Sequence, residues 1–368
     1  MDRVKRAGFG AAGWRLCALS ALAAMAISVL GAAPASAQGR TPPETGNIHV
    51  SDQSALFDLG TRFLRHLGTE AGNSTAGPPL VNNPGGGGAD LSLMPQTQQQ
   101  WRAWFEGYGL WSRMSGDGTF TGDRRAMYGG VAGIGYTPTP GMSFGLSVDQ
   151  SRTKIDIVDL PQRATIDLTQ VGANAAFESG AWTLALAGIH GFGRVNSNRD
   201  DVGGTVDTAS YDAHLWGALA ELSYLWTSGN SRIVPKLGAD WARAETGSFA
   251  ETGGPTAVVA SNQVSTRTRI FAGAEFGRTW NYDKTMFDFS FYGRAVGIVQ
   301  QDIGELQITG IGAPVSVQGV GESRLGADAG AAATWRLSSA ARVYAAYDGR
   351  YRSNFNSHSA TAGVEFRW

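Results

Sequence analysis

After residue 37 the chain has no run of about 18 apolar residues, the length a spanning helix needs. From residue 101 to its end it is instead made of segments of roughly ten or more residues in which polar and apolar side chains alternate. Period-two alternation is the mark of a strand with two different faces. Ile233, Pro235, Leu237, Ala239 and Trp241 fall on one face, with Arg232, Lys236, Gly238 and Asp240 on the other. Phe287, Phe289 and Phe291 alternate with Asp288, Ser290 and Tyr292, and Leu325, Ala327 and Ala329 with Arg324, Gly326 and Asp328. A closed barrel is the one strand-built structure that satisfies every backbone group inside lipid. A soluble β-sandwich would also alternate, but it accounts neither for the Arg-rich second face nor for the pattern of connections.

Those connections alternate in length. Short turns near 137–141, 178–180, 227–230, 281–284 and 338–339 are interleaved with longer polar stretches near 114–123, 156–163, 196–209, 247–262 and 301–317. Short turns on one side and long loops on the other are the outer-membrane arrangement. The breaks delimit twelve strands, near 101–113, 124–137, 142–155, 164–178, 181–195, 210–227, 231–246, 263–280, 285–300, 318–337, 340–352 and 356–368. The predicted fold class is all-β: a twelve-stranded antiparallel transmembrane β-barrel, preceded by a short helix and a Gly/Pro-rich linker. Trp216, Tyr224, Trp226 and Trp241 supply aromatics for its interfacial girdles.

The N-terminus carries an export signal. Arg3, Lys5, Arg6 and Arg15 precede an apolar stretch from Leu16 to Ala33, and Pro34-Ala35-Ser36-Ala37 places cleavage between Ala37 and Gln38. Domain bounds follow: 1–37 signal peptide, 38–100 short N-terminal region, 101–368 barrel. Cys17, the one cysteine, lies in the signal, so disulfides and thiolate metal sites are excluded. The five histidines have no ligand spacing and the net charge is -1, so neither a metal, another cofactor nor nucleic acid is expected.

These segments resemble the translocator domain of monomeric autotransporters (type V secretion). Trp101-Arg102-Ala103-Trp104-Phe105-Glu106-Gly107-Tyr108-Gly109 is similar to the family's first strand. Gly133-Ile134-Gly135-Tyr136-Thr137-Pro138 with Met142-Ser143-Phe144-Gly145-Leu146 is similar to its second hairpin, and Ile233-Val234-Pro235-Lys236-Leu237-Gly238 also matches. The last strand ends in Val364, Phe366 and Trp368 on one face, which resembles the signal read by the barrel assembly machinery. The resemblance implies residence in the outer membrane of a Gram-negative bacterium and export or display of an N-terminal segment. It also implies passage through the Sec translocon, periplasmic chaperones, contact with outer-membrane lipids and lipopolysaccharide, and a monomer without enzymatic activity.

Ahead of the barrel the pattern departs from the family, because residues 38–100 are far too few for a long β-helical passenger. Ala55, Leu56, Leu59, Phe63, Leu64 and Leu67 recur at helical spacing, predicting an amphipathic helix over 51–68, about 27 Å long. Gly60 weakens it by about 1 kcal/mol relative to Ala. Gly72 to Gly88 reads as a flexible linker. The helix either plugs the lumen or lies at the surface or in the periplasm. As a plug it would set Asp58, Arg62, Arg65 and His66 against a mixed-charge wall, with Glu221, Asp240, Glu275, Arg267, Arg269, Arg324 and Asp328 as its expected lumen network. The resemblance also makes Asn82-Asn83 a position for linker self-cleavage; as plain linker residues they favour turns.

A lipase needs a Ser–His pair on one face, but Ser357 and His358 are adjacent on a strand and point apart. His214 beside Asp212 is the sole hint of an omptin-like protease. A diffusion porin, or a structural or adhesive barrel acting through its outer loops, is the alternative function; mixed interior charge favours a paired network over an ion-selective pore.

Overall fold

The computed structural model describes residues 46–72, 100–117, 120–282, 285–310 and 314–368. The export signal with Ala37 and Gln38, and the Asn82-Asn83 pair, lie outside the described residues. Twelve long strands form the body: β1 (Trp101–Ser115), β2 (Gly122–Thr139), β3 (Met142–Ile157), β4 (Gln162–Ser179), β5 (Trp182–Asp200), β6 (Val206–Tyr224), β7 (Ser231–Thr246), β8 (Gln263–Tyr282), β9 (Thr285–Asp302), β10 (Leu325–Arg336), β11 (Ala341–Arg352) and β12 (Phe355–Arg367). Each pairs antiparallel with the next, and β12 pairs with β1, so the sheet closes. Closure removes both edges, which is what permits a sheet to sit in lipid.

The barrel is apolar outside and polar inside. Along β3 burial alternates at every residue, and outward side chains such as Phe105 (54% exposed) and Leu146 (63%) are large and apolar. A soluble protein would not leave such a band in water. Trp101 and Trp111 stand ten residues apart on the outer face of β1. At a strand rise of about 3.3 Å and a tilt near 40°, they mark the two edges of an apolar band about 25 Å tall.

Both ends of the barrel chain, Trp101 and Trp368, meet at one rim. Each donates its backbone N–H to the other's carbonyl, at 3.0 Å. The tight turns lie at this same rim, three of them using glycine with positive φ, Gly141 (81°), Gly180 (61°) and Gly229 (57°), where a side chain would be strained. Short turns and chain ends identify it as the periplasmic rim. Phe366 and Trp368 are exposed there to the lipid side. We expect deletion of Trp368 to remove the closing hydrogen-bond pair and one girdle ring together, lowering the yield of heat-modifiable barrel several-fold. Unchanged yield on gels of boiled and unboiled membranes would reduce Trp368 to packing.

At the opposite, outer end the structure corrects the loop lengths. Only residues 116–121, 158–161 and 201–205 separate β1 from β2, β3 from β4 and β5 from β6. Roughly half of these polar stretches predicted as long loops is strand, because above the membrane both faces meet water and the hydrogen-bond ladder continues without apolar alternation. Arg152 and Asp167, paired at 2.6 Å across β3 and β4, belong to this part. The two long connections, 247–262 and 303–324, carry short strands of their own. They contribute Phe249–Ala250, Val259–Ala260, Glu305–Thr309 and Val315–Gln318 to a separate four-stranded antiparallel sheet. The tenth strand accordingly starts at Leu325, later than the 318 expected.

Among the described residues one helix precedes the barrel, α1 (Asn47–Gly72), longer at both ends than the predicted 51–68. Its 26 residues span about 39 Å, more than the roughly 30 Å hydrocarbon core. From Asn47 to Glu70 every residue is buried except Ser54 and Arg62, which are half-buried. Of the places open to it, the helix occupies the lumen.

Candidate functional site: a helix-filled lumen

The lumen wall has two halves, matched to the two faces of α1. On β4, β5 and β6 the inward residues Ile166, Leu168, Ile189, Leu215 and Leu219 are apolar and buried. Leu56, Leu59, Phe63, Leu64 and Leu67 of the helix join them in one cluster. The approach is close: a side chain on Gly60 would come within 2.8 Å of Leu215 Cδ2, and one on Gly217 within 2.8 Å of Leu64 Cδ1. Gly60, a helix-weakening residue when viewed alone, is the position at which the helix leans on β6.

The other half of the wall, β7 to β12 with β1 to β3, is polar and charged. Alternate residues of β1 engage successive turns of the helix. Arg62 binds Glu106 at 2.6 Å and Asp149 of β3 at 3.2 Å, and its guanidinium lies over the Tyr108 ring. Trp104 donates its indole N–H to His66 Nε2 at 3.1 Å. That assigns the ring proton to His66 Nδ1, 3.3 Å from Glu106 Oε2. Ser112 donates to Asp58, which also takes Arg125 at 2.9 Å and Arg350 at 2.8 Å. Arg65 pairs with Asp328 and, at 3.2 Å, with Asp348. At the periplasmic end Glu70 pairs with Arg102.

Charges that do not reach the helix are paired with one another. Arg269 holds Asp240 through two bonds of 2.9 and 2.8 Å. Glu275 takes Arg232 at 3.3 Å and Lys236 at 3.1 Å, and Lys236 lies 3.8 Å from Glu221. Arg267 also pairs with Glu322 but does reach the helix, donating to Thr61 Oγ1 at 2.7 Å. Of the residues expected in this network, Arg324 is the exception: it stands just before β10, exposed, outside the lumen. Its even-numbered register matches Asp328, but the strand begins one residue later, so alternation no longer aims its side chain. Leaving any of these buried charges alone would cost several kcal/mol, whereas the pairs themselves are near neutral against apolar replacements. The network therefore selects the helix's position and rotation more than it stabilises the fold.

The outer sheet closes the lumen over the first turn of α1. A side chain at Gly46 would come within 2.9 Å of Val317, and Ile308 lies beside it. Beneath the sheet His49 bonds Tyr211 at 3.0 Å and Glu251 at 3.1 Å, and Arg199 ties Glu251 to Asp207, each at 2.6 Å. Burial pushes the Glu251 carboxyl up, but the bonds from His49 and Arg199 outweigh it and hold the group below its usual range. This carboxylate thus steadies the cap at neutral pH, and the contribution is lost as pH falls through its lowered pKa. Beside the helix a void of about 20 Å³, lined by Arg62, Arg65, His66, Ala346, Asp348, Ser359 and Thr361, has room for about one water molecule.

Sequence reasoning placed Asp58, Arg62, Arg65 and His66 on a polar helix face but missed their partners Trp104, Glu106, Tyr108 and Arg125, and the whole outer cap. The signal for the first was present: Trp104, Glu106 and Tyr108 occupy alternate positions of one strand. The residues weighed for hydrolysis are dispersed. Ser357 is buried on the inner face of β12, while His358 bonds Tyr347 Oη outside at 2.6 Å. Outside the barrel too, His214 stacks on Trp216 and Asp212 pairs with Arg194 at 3.3 Å.

A family model described as the autotransporter beta-domain matches residues 103–348. No curated protein sequence matches the chain. Among solved structures it is similar to the translocator domain of the autotransporter NalP from Neisseria meningitidis, at 13% identity and a TM-score of 0.66, covering 89% of this chain and 100% of that one. It is also similar to the β-domain of the Bordetella autotransporter BrkA, at 15% identity and a TM-score of 0.54, covering 73% and 100%. At such identities the likeness is one of fold, a twelve-stranded barrel, and the family assignment rests on the matched domain. With that match over most of its barrel, the chain belongs to the autotransporter β-domain family, whose translocator barrels reside in the outer membrane of Gram-negative bacteria.

Proposed function

We propose that this translocator barrel exports its own N-terminal segment and then retains α1 as a plug, so that the end state is a closed pore with the residues ahead of Asn47 presented outside. The observation that carries this is the direction of the helix. Its C-terminal end meets Arg102 at the periplasmic rim and its N-terminal end sits under the outer sheet. A segment lying this way has its N-terminal end on the far side of the membrane from Trp101. Supporting the reading against a diffusion porin, the lumen wall is complementary to the helix in both apolar and charged halves.

In this reading residues 1–37 are the export signal, cut after Ala37 following passage through the Sec translocon. Residues 38–100 form the exported segment, plug and linker, and 101–368 the barrel. Periplasmic chaperones and the barrel assembly machinery are its partners, the latter reading Val364, Phe366 and Trp368. The barrel acts as a monomer and by conformation, not by catalysis. An epitope inserted ahead of Asn47 should be reached by antibody on intact cells, while one inserted at Gln100 should be reached only after the outer membrane is permeabilised. Labelling of both sites solely after permeabilisation would reject outward export.

A further inference from the structure

The outer wall carries a feature that the plug does not use. Most outward-facing arginines near the outer end have a carboxylate: Arg152 with Asp167 at 2.6 Å, Arg163 with Asp156 at 3.3 Å, Arg194 with Asp212 at 3.3 Å and Arg243 with Glu245 at 3.2 Å. Arg113, Arg124 and Lys154 are exposed on the adjacent strands β1, β2 and β3, and among the described residues they enter no ion pair or side-chain hydrogen bond. Arg113 and Arg124 are direct cross-strand partners. Like charges directly opposite one another destabilise a sheet unless an anion lies between them. The neighbour across β3, Asp156, is engaged by Arg163.

Below these cations, on the same strands, the lipid-facing wall is hollow. A groove of about 650 Å³ runs across β11, β12, β1, β2 and β3, lined among others by Phe105, Gly107, Ala132, Val148, Ala362 and Val364. Gly107 forms part of its floor, and a side chain there would meet nothing within 4 Å. Trp111 stands between groove and cations at the upper girdle. From Gly107 to Arg113 is six residues, about 20 Å along a tilted strand and about 15 Å along the membrane normal. That equals one leaflet of a roughly 30 Å core.

We propose that this face seats one phosphorylated glycolipid of the outer leaflet, its phosphate bridging Arg113 and Arg124 and the end of one acyl chain entering the groove floored by Gly107. Charge complementarity selects the occupant: two unpaired guanidiniums a strand apart suit a phosphate, which takes several charge-assisted hydrogen bonds at once. The groove selects a lipid over a free anion, because a water-soluble phosphate leaves it empty. Lys154, on the next strand, is placed for a second anionic group.

The test uses the refolded full chain in neutral detergent, titrated separately with lipid A, dephosphorylated lipid A, phosphatidylcholine and inorganic phosphate, with bound lipid counted by native mass spectrometry. One lipid A should be retained, and dephosphorylated lipid A should bind about tenfold more weakly or worse. Arg113→Gln with Arg124→Gln should weaken lipid A binding by a similar factor, Arg113→Lys with Arg124→Lys should restore most of it, and Gly107→Phe should reduce it with both cations in place. Arg194→Gln with Arg243→Gln should leave binding unchanged. Equal retention of lipid A and its dephosphorylated form, equal binding of phosphatidylcholine, displacement by inorganic phosphate, or the same loss in the control variant would each overturn the proposal. The comparison of lipids on the wild-type chain decides the matter even if a charge variant fails to fold.

Discussion

A chain starting at about residue 96 is expected to conduct continuously in planar bilayers, while the chain that retains α1 stays closed. The difference follows from what fills the lumen. Each of Leu56, Leu59, Phe63, Leu64 and Leu67 is buried on the helix's apolar face, and full burial of such a side chain contributes about 1.5–3 kcal/mol. Covalent attachment adds a local concentration in the millimolar range. A docking free energy of only about 3 kcal/mol already keeps the helix in place more than about 99% of the time, and the apolar face alone exceeds that. Brief openings, not a steady current, are therefore expected of the full chain. Equal and large conductance from both chains would reject the plug and restore the porin reading.

The second large effect is expected at Arg65. Arg65→Glu would place a third carboxylate beside Asp328 and Asp348, deep in the lumen. Breaking a buried pair costs about 3–5 kcal/mol, and reversal adds repulsion between unscreened charges. The barrel itself has no need of Arg65, because Asp328 keeps Arg294 at 3.2 Å and Arg352 at 3.0 Å. The cost therefore falls on docking. The variant should assemble and remain heat-modifiable but leak, and Arg65→Met should leak much less. A variant as tightly closed as the parent would mean that the apolar face alone holds the helix.

In a wet lumen, ion pairs between helix and wall would contribute only about 0 to 1 kcal/mol each. The pairs of Arg62 and Arg65 are instead largely buried, so removing a single partner is costly although the intact pair is near neutral. Docking strength comes from the Leu and Phe face, and orientation from the charges.

By itself the sequence determined the strand alternation, the even strand number, the common rim of Trp101 and Trp368, and the amphipathic character of the helix. All four rest on local periodicity, which a single segment displays without its neighbours. Periodicity says that a strand or helix has two faces, but not what each face meets. Only the closed sheet decided that Ile166, Leu168, Leu215 and Leu219 form an apolar half of the lumen, since β4 to β6 are apolar toward the helix as well as toward lipid. Only closure brought Asp58 to Arg350, 292 positions apart, and Arg65 to Asp328, 263 apart. Strand ends set the remaining differences. Arg324 lost its lumen role because β10 begins one residue later, and the polar residues 196–200 and 206–209 became strand because ladder hydrogen bonds continue where alternation ends. The outer cap was illegible for the same reason: its strands are two to five residues long and find their partners only across the mouth of the barrel.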